Sequence, residues 1–169
     1  MSNPARRLIL IASSTLLLAA SVILIGFVWH RLSLRRTLPF PLTSEPVVAR
    51  RIYSAGGYDI EPPASAPRLD GYPVIGDPVI VPPDAAAEVR QILSSPSTFD
   101  FRDSSCFEPG MAISFGEDED RVDVIICLLC DRMVFYRGNS QVGRTISGEG
   151  HNRLMSIYQR LFPYPSPQL

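Results

Sequence analysis

Residues 8–29, from Leu8 to Trp29, carry no charged side chain. A helix over them would be about 33 Å long at 1.5 Å rise per residue. The hydrocarbon core of a bilayer is roughly 30 Å thick. The run therefore predicts a single-pass transmembrane helix, with the lipid bilayer as partner through residues 8–29. Arg6 and Arg7 precede it, and Trp29, His30, Arg31, Arg35 and Arg36 follow it. An aromatic residue and then cations mark the interfacial end of an uncleaved signal-anchor. A secretory signal peptide cleaved near Ala20 is the alternative, but its apolar core would span only about 7–15 residues. The flanking arginines nearly balance. The short basic N-terminus resembles a signal-anchor that exports its tail, which favours an extracytoplasmic C-terminal domain.

The chain of 169 residues has a net charge of −1, and this value conceals a split. Residues 1–51 hold seven Arg and one acid, whereas residues 52–169 hold nine Arg and sixteen acids. The acidic part argues against nucleic acid as a partner. Ten prolines fall between Thr37 and Pro83. Each lacks a backbone donor, so this stretch reads as a tether. The expected division is a tail over 1–7, the span over 8–29, a basic and then Pro-rich linker over 30–71, a domain over 72–163 and a tail over 164–169.

Within the domain, Asp84–Leu93 reads as a helix that Asp84 can cap and Pro96 follows, with Ala85, Val89, Ile92 and Leu93 on one face. Phe99–Phe101 and Met111–Phe115 alternate as strands, and Gly116–Asp120 is an acidic turn. Val122–Cys130 is nearly all apolar and β-branched, as in a central strand buried on both faces. Met133–Tyr136 returns after a turn at Asp131-Arg132, and Arg137–Ser140 turns again. A last helix runs from about Gly150 to Phe162, with Leu154, Ile157, Tyr158 and Leu161 on one face and Pro163 as its stop. The expected fold is a two-layer α+β domain in α-β-β-β-α order, with three or four antiparallel strands in a meander and two helices on one face.

Cys106, Cys127 and Cys130 are the residues that could carry chemistry. They can pack as small buried hydrophobes. They can form a disulfide, for which Cys106 with either partner is easier than Cys127–Cys130: residues three apart along a strand lie roughly 10 Å apart and point to opposite faces. They can also join His151 as a zinc set of three thiolates and one imidazole. No glycine or polar turn residue lies between Cys127 and Cys130 to make a zinc knuckle. A thioredoxin-like site would want a helix N-terminus at the first cysteine.

Other motifs are weaker. Glu117–Asp120 lacks the ligand spacing of a calcium loop. Ser104-Ser105 lacks a nucleophile elbow. No glycine-rich phosphate loop is present. The pattern Cys106-Phe-x-Pro-Gly110, then Phe115, Val122-Asp-Val-x-x-Cys127-x-x-Cys130-Asp131 and a final Leu161-Phe-Pro163 resembles a group of uncharacterised small bacterial proteins, often with an N-terminal hydrophobic segment. The resemblance implies one domain over about 72–163 with the cysteines in its core, and no catalytic role. The expected function is a non-enzymatic interaction or structural domain with a protein partner. A zinc-binding or thiol/disulfide-dependent domain is the alternative.

Overall fold

The computed structural model describes residues 20–29, 38–53, 62–100, 102 and 106–163. The chain divides into two compact units, Met1–Arg35 and Arg36–Leu169. In the first, residues 20–29 are helical; residues 8–19 of the expected span lie outside the described residues. Among the described residues no helix is long and apolar enough to cross a membrane. The expected single-pass span is therefore not supported. The signal-anchor and the extracytoplasmic placement rested on that span and are not supported either.

The second unit departs from the expected three or four strands. It is an eight-stranded antiparallel sheet in the order β2-β3-β1-β5-β6-β7-β8-β4. The strands are β1 (Val47–Ile52), β2 (Arg68–Leu69), β3 (Tyr72–Ile80), β4 (Phe99–Asp100), β5 (Met111–Phe115), β6 (Val122–Cys127), β7 (Arg132–Arg137) and β8 (Ser140–Ile146). Among the described residues its α-helices are α1 (Pro83–Ser94) and α2 (Gly148–Leu161). β5 to β8 form a meander, whereas β1 inserts between β3 and β5.

The expected Pro-rich linker over 30–71 thus supplies two strands. Pro46 precedes β1 and does not interrupt it, and Val47–Arg51 pairs residue by residue with β5. Pro73 lies opposite Arg68 in the short β2–β3 ladder, and its carbonyl accepts from the Tyr53 amide at 2.9 Å. Pro78 falls where the β1–β3 register shifts, between the pairs Ala49↔Val79 and Arg51↔Ile75. The unit begins well before residue 72: Leu42 is buried, and Arg90 of α1 donates to the Leu42 carbonyl at 2.6 Å.

Period-two alternation assigns the two faces of the sheet. Val47, Ala49, Met111, Ile113, Phe115, Val122, Val124, Ile126, Met133 and Phe135 form the main core with Val89, Ile92 and Leu93 of α1 and Leu154, Ile157 and Leu161 of α2. Both helices lie on this face. Asp84 is not the cap of α1: that position is Pro82, and Asp84 sits in the first turn, where a carboxylate favours the helix dipole. Ser147 caps α2, accepting from the Gly150 amide at 3.0 Å. Among the described residues the opposite face has a small cluster of Ile52, Leu69, Ala112 and Ile125, bordered by Tyr72, Val74, Phe107 and Tyr136.

Candidate functional site

The expected strand over Val122–Cys130 stops at Cys127. Residues 128–131 are a turn, with Asp131 at φ +50° and Leu129 exposed. That turn reverses the chain and carries Cys130 back over the sheet end. There Cys130 forms a disulfide with Cys106, with the α-carbons 5.8 Å apart. Cys127 remains a buried free thiol. Its Sγ accepts from the Glu108 amide at 3.4 Å and the Cys130 amide at 3.1 Å. Burial pushes the thiol above its usual pKa, which disfavours the thiolate that nucleophilic or redox chemistry needs.

His151 is not drawn into this group. Its Nδ1 lies 2.7 Å from Asp131 Oδ1, which ties the start of α2 to the Cys130 turn. Two of the three expected thiolates are consumed in the disulfide. Among the described residues no group of three or more His, Cys, Asp or Glu could hold a metal ion. Ser104 and Ser105 lie outside the described residues.

The disulfide positions a short segment across the less-covered face. Gly110 donates to Ile126 at 3.1 Å and accepts from Ile52 at 3.1 Å. Phe107 meets the Tyr72 ring edge-on at 5.8 Å between centroids, and the Arg132 guanidinium lies 5.9 Å from the Phe107 ring. Beside them a groove of about 300 Å³ is lined by Tyr72, Phe107, Arg132, Val134, Tyr136 and Gln141, among others.

Tyr136 also borders a second, acidic cleft of about 140 Å³ with Asp70, Asp118, Glu119, Arg121, Asp123 and Gly138. The register places Ser114, Asp123 and Tyr136 side by side on one face. Asp123 is buried at its floor. Arg121 Nε donates to Asp123 Oδ2 at 2.8 Å, whereas the buried Oδ1 has no hydrogen-bond partner. Asp70 approaches from the β2–β3 hairpin, whose two turn residues, Asp70 and Gly71, have φ of +47° and +89°. Both are left-handed, as a two-residue turn of this kind requires. The Asp70 carboxyl is pushed up to about 6 by partial burial and then by the facing Asp123 carboxylate, against the lowering effect of Arg121. Tyr136 is pushed up to about 12 by burial and by Tyr72.

Sequence reasoning did not find this cleft, although two signals existed. Asp70-Gly71 between Leu69 and Tyr72 is a hairpin signal. Asp123 is a lone acid inside an apolar strand, and a buried charge demands a partner. Comparison with protein families, with characterised proteins and with solved structures gives no match to this chain.

Proposed function

We propose that residues 38–163 form a disulfide-stapled binding domain whose less-covered sheet face receives a segment of a protein partner. The observation that carries this reading is the asymmetry of the sheet: two helices pack on one face, and the other presents an aromatic groove continuous, through Tyr136, with an acidic cleft. Grooves of this kind, largely preformed and with a few converging polar groups, are where binding sites are expected. The excess of acids over arginines in residues 52–169 favours a basic partner segment by electrostatic complementarity. The disulfide then acts as a strut for Phe107, with no redox turnover.

Selection of a displayed peptide library against the full chain tests the proposal. Enriched peptides should lose binding to Tyr136→Ala and Gln141→Ala, both on the proposed face, while binding Glu88→Ala, on the helix side, unchanged. Peptides indifferent to the first two variants, or no enrichment at all, would contradict it.

A further inference from the structure

The acidic cleft has a chemical property that the groove lacks. Asp123 is one of the few polar residues buried in the sheet, and only one of its two carboxylate oxygens is satisfied, by Arg121. The other is buried without a donor, a costly arrangement for a charged acceptor. The facing group is Asp70, which donates to Asp123 when protonated and has no proton to give once it ionises above about pH 6. Above that pH the position lacks a donor, and a donor carrying positive charge would satisfy both carboxylates together. Asp118 and Glu119 add negative charge at the rim, against the single Arg121 of the lining. Tyr136 supplies an aromatic wall, which attracts an organic cation over its face.

We propose that the cleft between Asp70 and Asp123 is a binding site for the cationic head of a basic side chain, a guanidinium or ammonium group carried by the partner polypeptide. This deepens the binding-domain reading and rests on it. A divalent cation fits the donor set less well: calcium takes six to eight oxygens, and the described residues bring no three carboxylates together around one point. A guanidinium instead directs several N–H donors at two carboxylates in one plane.

The test is a titration of the isotope-labelled full chain near pH 7.5, followed through the amide resonances of Gly71, Asp123 and Gly138. The probes are N-acetyl-arginine amide, its uncharged citrulline counterpart and calcium chloride, each alone. The arginine probe should give saturable shifts at all three amides, and citrulline should give none at equal concentration. Asp70→Asn should weaken arginine binding about tenfold, the scale of one lost charge-assisted hydrogen bond. Asn also adopts left-handed backbone, so this variant keeps its turn. Shifts from calcium alone, equal shifts from citrulline, no saturable shift with arginine, or unchanged binding by Asp70→Asn would each overturn the proposal. The two readings fail separately. Selected peptides that need Tyr136 but ignore both Asp70→Asn and an Arg-to-citrulline exchange would remove this site and leave the binding face standing.

Discussion

Replacing both Cys106 and Cys130 with serine removes the strut beneath the proposed binding face. The two cysteines are 24 residues apart in sequence. In the chain-entropy account, closing a loop of that size takes about 3.5 kcal/mol of disorder from the unfolded ensemble. Folded-state losses add to this, because Phe107 is held against Tyr72 by the same segment. The double variant should therefore be less stable by about 3–4 kcal/mol in urea denaturation followed by circular dichroism. Its m-value should also rise, because the uncrosslinked unfolded chain exposes more surface. The wild type in reductant should behave like the variant, and reductant should leave the variant unchanged. Thiol titration of the oxidised wild type should find Cys127 alone, unreactive until the chain unfolds. A loss below about 1 kcal/mol, or more than one titratable thiol in the oxidised protein, would refute the reasoning.

Three further outcomes follow from other contacts. A Cβ at Gly150 would lie 2.6 Å from the Thr98 carbonyl oxygen, so Gly150→Ala should cost about 1–3 kcal/mol by thermal denaturation; a change within about 0.5 kcal/mol would count against that packing. Ser147→Ala removes the α2 cap and should cost about 1 kcal/mol, whereas an unchanged melting temperature would mean the cap contributes nothing. Asp70 is raised from 3.8 to about 6 in the fold, so the folded chain keeps a proton that the unfolded chain has released between those values. Its contribution is fully present below about pH 4 and is lost as pH rises through about 6. The stability difference between wild type and Asp70→Asn should therefore fall across that window, with Asp123, Arg121 and Tyr136 as the groups facing Asp70. Parallel pH profiles would show that neither burial nor Asp123 raises the Asp70 carboxyl.

What the sequence disclosed depended on how each segment balances apolar pattern against backbone punctuation. β5 and β7 are short alternating runs, and α1 and α2 have clear apolar faces, so their positions were legible. β1 is hidden in the sequence because Pro46 and two arginines surround a short Val-Val-Ala run inside a stretch whose proline density reads as linker. In the fold those prolines flank strands or sit at a poorly paired edge. β8 was hidden because Gln141, Gly143 and Thr145 face away from the helices and only Val142 and Ile146 mark its inner side. The cysteine pairing turned on Leu128-Leu129, which reads as strand by composition. The left-handed turn at Asp131 ends β6 early and reverses Cys130. The acidic cleft assembles Asp70 and Asp123 from segments more than fifty residues apart, so neither residue declares the site alone.

The central claim is that the less-covered sheet face, and not the helical face, meets a protein partner. Hydrogen exchange of the full chain, free and saturated with a selected basic peptide, measures this directly. The account predicts slowed exchange in β7, β8 and the Asp70-Gly71 turn, with α1 and α2 unchanged. Protection confined to α1 and α2, with β7 and β8 unaffected, would contradict it.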